Sequence, residues 1–195
     1  IESDLKIRSA RTRIVSVPLR FALGTSADVV RSVPMVLVDV TTDQGVVGRA
    51  YAFGYTAAGA NAIARLVEEA VDRVAGQPAA PLPVSELLAR RYRLLGVTGA
   101  LRMALSIVDV ALWDAQAIAK ALPLHALLGA EPRKIPAYDS RGLGLMPPGE
   151  LADEALRLVE DKRLSAVKLR LGHPTLVEDV AAVEAVLRVL PFGVR

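Results

Sequence analysis

Ala166-Val167-Lys168-Leu169-Arg170-Leu171-Gly172 reads as a strand, with helical spacing on either side, over Gly149 to Lys162 and over Leu176 to Leu190. Lys134 to Ser140 reads as an earlier strand and Phe192 to Arg195 as the start of a third. Strand, helix, strand, helix, strand at this spacing is the βαβ pattern of a parallel sheet, either an open sheet or a (β/α)8 barrel. Two and a half such units leave an exposed sheet edge, so the sheet is expected to continue beyond Arg195. Successive side chains of a strand alternate faces, which puts Lys168 and Arg170 on one side and Val167, Leu169 and Leu171 on the other. Two cations on one face of an otherwise buried strand call for an anionic partner.

The residues before this region have another texture. Thr12 to Leu19, Met35 to Val40 and Val46 to Phe53 read as three strands of an antiparallel meander, with Thr42-Asp43-Gln44-Gly45 as a turn. Ala22 to Ser32 reads as a loop longer than a tight hairpin needs. Ile63, Leu66, Val67, Ala70, Val71 and Val74 recur at helical spacing from Ala58 until Gly76-Gln-Pro78. Ser85 is expected to cap a second helix reaching about Leu95. Ala100 to Ala121 is the longest helix, followed by a short turn at Leu124 to Leu128. Three strands followed by helices make an α+β unit. The expected domains are 1–130, α+β, and 131–195, the beginning of the parallel β/α unit.

Composition excludes several classes. The 195 residues are 52% hydrophobic and 23% charged, which is globular rather than disordered. The net charge of +3 is spread along the chain, and no nucleic-acid-binding module is recognisable. No run is apolar and long enough for a membrane span, and no signal peptide is evident. The absence of Cys excludes disulfides and thiolate metal sites and fits a cytoplasmic location. The chain begins at Ile1 rather than Met, so its recorded start is expected to be trimmed or incomplete.

Several pieces together resemble one family. Ala104-Leu-Ser-Ile-Val-Asp109-Val-Ala-Leu-Trp113-Asp114, followed by Leu122-Pro-Leu-His-Ala-Leu-Leu-Gly129, resembles the signature helix of the mandelate racemase/muconate lactonizing group of the enolase superfamily. Gly45-Val-Val-Gly48, Phe53-Gly-Tyr55-Thr56, Ala137-Tyr138-Asp139-Ser140 and Val167-Lys168-Leu-Arg170-Leu-Gly172 fall in the family's order. The resemblance runs from about Asp4 to Arg195. It implies an α+β capping domain, then the first strands and helices of a TIM-type barrel, incomplete in this chain. It also implies an enzyme that binds a small-molecule carboxylate on Mg2+ and abstracts the proton α to the carboxylate of an α-hydroxy acid. Acid-sugar dehydration and racemisation or epimerisation are the expected reactions, in a homo-oligomer without nucleic-acid or membrane partners.

The resemblance also assigns positions. Lys168 matches the first Lys of a Lys-x-Lys strand, the contact to the substrate carboxylate. Arg170 stands where the second Lys serves as general base. A guanidinium stays protonated, so Arg170 is a poor base at neutral pH, although it can anchor a carboxylate or stabilise the enediolate. That departure favours one-base chemistry over two-base racemisation. Ser140 matches a position that hydrogen-bonds the carboxylate. Phe53 and Tyr55 match the capping loop that closes over the site, and Leu23 and Val30 match apolar contacts presented by the long first loop. Asp109, Trp113 and Asp114 mark the family and are expected to do structural work, as is His125; His173 follows the Lys168 strand closely enough to reach a substrate. The metal ligands are expected beyond Arg195. Apolar loop positions suit an aryl or alkyl arm, whereas Arg31 and Arg141 suit a polyhydroxy or diacid substrate. The competing reading is a truncated, non-catalytic paralogue that acts as an interaction module or subunit.

Overall fold

Thr42, at the end of the second strand, closes the turn that starts the fold. Its amide and hydroxyl both donate to the Val46 carbonyl, its hydroxyl oxygen accepts the Val46 amide, and Gly45 supplies a φ of 79°. The computed structural model describes residues 4–25, 28–160 and 165–195. Strands β1 (Ile7–Gly24), β2 (Val29–Thr42) and β3 (Val47–Phe53) form a sheet in the order β1-β2-β3. β2 and β3 are antiparallel, with Met35 opposite Phe53 and Thr41 opposite Val47. The register puts Val36, Val38 and Val40 on the buried face while Leu37 stays exposed.

Helices α1 (Ala57–Asp72), α2 (Pro81–Arg91), α3 (Gly99–Ala119) and α4 (Leu124–Leu127) follow. The Thr56 hydroxyl caps α1 by accepting the Gly59 amide. Ile63, Val67 and Val71 of α1 and Leu105, Val108 and Leu112 of α3 meet the sheet valines in one core. β3 and α3 approach so closely at Gly48 that a Cβ there would lie 1.9 Å from the Ala111 carbonyl oxygen.

Two expectations need correction here. α2 begins at Pro81, not after Ser85, because Pro at the first helical positions presets φ and has no amide to leave unpaired. Ser85 lies inside α2 and donates to Asp109 Oδ1 at 2.9 Å. The expected long loop from Ala22 to Ser32 is mostly strand. The Thr25 amide and hydroxyl both donate to the Asp28 carbonyl, closing a short connection whose residues 26 and 27 lie outside the described ones.

By contacts the chain divides into two compact units, one of residues 1–17 and 33–132 and the other of 18–32 and 133–195. The outer part of the first hairpin, which the sequence reading assigned with residues 1–130, thus counts with the later unit. Helices α5 (Pro148–Glu160) and α6 (Leu176–Val189) build that unit's own core. Leu143, Leu151, Ala155, Leu158, Ala182 and Val186 are buried there, with Val167 and Leu169 packed against them. The expected end of α5 at Lys162 lies outside the described residues.

The three expected strands of the second unit are present as parallel rungs rather than as continuous strands. Asp139 pairs parallel with Val167: the Asp139 amide donates to Ala166 and the Lys168 amide to Asp139, both at 2.7 Å. The Val167 amide donates to Arg195, and the Arg195 amide to Ser165. The order 139, 167, 195 is that of consecutive βα units. The third segment pairs through Arg195, and Pro136 has no amide to give to the first ladder. Among the described residues no helix is long and apolar enough to cross a membrane.

Candidate functional site

Val167 and Leu169 point into the core of the second unit, and the alternation of the strand segment sends Lys168 and Arg170 to its other face. Lys168 is exposed, and among the described residues its ammonium has no hydrogen-bond or ion-pair partner. Arg170 is half-buried. Its guanidinium donates to the Gly142 carbonyl at 2.9 Å and more loosely to the Ser140 carbonyl at 3.4 and 3.5 Å. The two cations therefore differ. Among the described residues one has no partner, and the other is met by carbonyl dipoles rather than by the expected anion.

Ser140 is exposed at the end of the first rung. The neighbouring side chains pull the chain around it into a tight turn. Asp139 is 5% exposed, and its carboxylate takes the Arg141 amide at 2.9 Å and the Arg141 guanidinium through Nε and Nη2, the latter at 2.6 Å. Those hydrogen bonds hold Asp139 below the usual carboxylate range, against the upward push of burial. Arg141 is thereby engaged at home rather than held out for a diacid. Leu23, near the end of β1, and Val30, in β2, are half-buried in this same unit, where the Leu145 amide donates to the Gly24 carbonyl.

Asp139 carries a pH prediction. A native value below the ordinary 3.8 means that its contribution to stability is present above that pH and is lost as the pH falls below it through the native value. Asp139→Asn is therefore expected to be less stable than the parent at neutral pH, with the gap in urea midpoints narrowing as the pH falls below 3.8. Equal midpoints for the two proteins at neutral pH would contradict the pairing.

Past the strand, Asp179 of α6 accepts the amides of Gly172 and His173 and meets His173 Nδ1 at 2.9 Å through one oxygen. The two amides, then the imidazole, hold its carboxyl below the ordinary range. His173 is thus tied to the start of α6, which Thr175 and Glu178 cap reciprocally. The Thr-x-x-Glu spacing was the signal for that cap in the sequence. In the first unit, the Phe53 and Tyr55 rings stand edge to face at 6.4 Å, and Tyr55 is 72% exposed with φ 58°. Asp114 accepts the Arg49 amide at 2.8 Å, Trp113 is half-buried and His125 is exposed.

Among the described residues no group of three or more His, Asp or Glu side chains converges to hold a metal ion. Asp139 is occupied by Arg141, and Glu154 accepts the Leu143 amide. These residues do not form a Mg2+ site.

Residues 4–129 match the family model described as mandelate racemase / muconate lactonizing enzyme, N-terminal domain. The chain is 33% identical to muconate cycloisomerase 1 of Rhodococcus opacus over 99% of its own length and 52% of that protein. It is 25% identical to the L-talarate/galactarate dehydratase of Salmonella typhimurium over 81% of its length and 40% of that protein. A crystal structure of an enolase from Bradyrhizobium, complexed with magnesium and mandelic acid, superposes with a TM-score of 0.86 at 34% identity. That match covers 97% of this chain and 52% of the other. The chain thus spans about half the length of these relatives or less.

Proposed function

Because the chain belongs to the mandelate racemase/muconate lactonizing enzyme family of the enolase superfamily, we propose that the complete protein is a Mg2+-dependent enzyme that abstracts the proton α to a carboxylate. The observation that carries the proposal is the Lys168 ammonium, which has no partner among the described residues and lies at the C-terminal side of a parallel rung, on the face away from the core. On a barrel, that end of the strands carries the chemistry. Lys168 is assigned to the substrate carboxylate, where a charge-assisted hydrogen bond orients the acid and stabilises negative charge as it develops. Ser140, on the adjacent rung, is assigned a hydrogen bond to the same carboxylate. Leu23 and Val30 are assigned to the substrate's apolar part.

Arg170 is not assigned as a base, since a guanidinium is a poor proton acceptor and this one is engaged by carbonyl oxygens. One-base chemistry is therefore favoured, with dehydration of a hydroxy acid ahead of racemisation. The relatives span cycloisomerisation, dehydration and mandelate binding, which supports the carboxylate as the shared element. The test is hydrogen–deuterium exchange at Cα of galactarate and mandelate in D2O with the full-length protein. Exchange that disappears on chelation is expected; exchange that survives chelation, or none with any carboxylate offered, contradicts the proposal.

A further inference from the structure

Leu143 is fully buried yet has a φ of 52°, in the left-handed region that a branched side chain enters only at a cost. Such a conformation persists where its surroundings over-determine it. Here they do so from two sides. The Leu143 amide donates to Glu154 Oε2 at 2.7 Å, and its carbonyl accepts the Arg170 amide at 3.0 Å. The Arg170 side chain then takes the two preceding carbonyls that lie within its reach, those of Ser140 and Gly142. Gly142 is pressed against Glu154: a Cβ there would stand 2.8 Å from the carboxylate carbon. Glu154 itself is 8% exposed, a buried acid that among the described residues meets a backbone amide rather than a cation.

We propose that Glu154 and Arg170 are positioning residues that clamp the strained 139–144 turn and thereby set Ser140 in place for the substrate. Arg170 acts through carbonyl oxygens, and neither side chain touches the carboxylate. The role of Ser140 rests on the function proposed above; the clamp itself does not.

Two measurements on the full-length protein separate these parts. Amide hydrogen exchange over residues 139–146 reads the clamp. Glu154→Ala and Arg170→Lys are each expected to speed it by about tenfold or more, the loss of one hydrogen bond to a charged group. Glu154→Gln, which keeps an acceptor oxygen, should fall between, with exchange over residues 57–72 unchanged as a check on folding. Unaltered exchange in both Glu154→Ala and Arg170→Lys overturns the clamp. Cα exchange of galactarate and mandelate reads the positioning. Glu154→Ala should lower kcat/KM in the parent but not further in Ser140→Ala, since a residue acting through Ser140 has nothing left to place. Equal losses in both backgrounds overturn the positioning role. Absence of turnover by the parent sinks the proposed function, and the clamp is then decided by amide exchange alone.

Discussion

Replacing Lys168 by Met is expected to lower kcat/KM for Cα exchange by about a thousandfold, the scale of removing one preorganised charge from a developing oxyanion. The Met side chain keeps much of the aliphatic stem and removes only the ammonium. Because Lys168 is exposed and its side chain has no hydrogen-bond or ion-pair partner among the described residues, no such interaction with them is lost. Its urea midpoint should therefore match that of the parent, as substitutions at such positions leave stability almost unchanged. An unchanged rate would mean that Lys168 is a solvated surface cation. A lowered midpoint alongside a lowered rate would point to a structural role instead. A wild-type midpoint with the rate gone is the pattern expected of a substrate contact.

The largest stability effect is expected at Gly48. A Cβ at this position would lie 1.9 Å from the Ala111 carbonyl oxygen and 2.8 Å from the Ala115 amide nitrogen, both backbone atoms of α3. A flexible side chain could swing aside, but a helix backbone cannot, so β3 and α3 must separate. Gly48→Ala is expected to lose about 3 kcal/mol, the upper end of the usual cost of overpacking. Gly45 provides the comparison. Its φ of 79° requires a left-handed turn residue, but its Cβ would meet nothing within 4 Å. Gly45→Ala should therefore cost only about 1–2 kcal/mol of backbone strain. Urea unfolding of the two variants gives the contrast directly. Equal midpoints would show that the sheet and α3 are not held at backbone contact distance.

Periodicity was informative wherever a segment has one polar and one apolar face. The inner part of β2 follows from the apolar, β-branched run Met35 to Val40, and α1 and α3 follow from spacing, as where Ile63, Val67 and Val71 repeat at a helical turn. The signal weakened where the chemistry is less regular. At α2 a plausible Ser cap outweighed the prolines that start the helix. In the first hairpin, small and polar residues read as loop although the backbone remains extended. Lys168 and Arg170 were visible as cations facing one way, but not how unlike their surroundings are. That difference depends on the carbonyls of Ser140 and Gly142, about thirty residues earlier in the chain, which spacing within one strand does not reveal. Glu154 had no sequence signal: it reads as one more helix acid, and only the approach of Leu143 makes it a buried acceptor. The strained φ at Leu143 was equally hidden, since a buried Leu ordinarily marks regular structure.

In the proposed function the strand end offers Lys168, without a partner among the described residues, to a substrate and keeps Arg170 for its own backbone. A crystal structure of the full-length protein with a bound hydroxy acid tests it most directly. The carboxylate is expected within hydrogen-bonding distance of Lys168 Nζ, about 2.7–3.2 Å, with the Arg170 guanidinium still on the Ser140 and Gly142 carbonyls. A carboxylate gripped by Arg170, with the 139–144 turn released and Lys168 turned away, would contradict it.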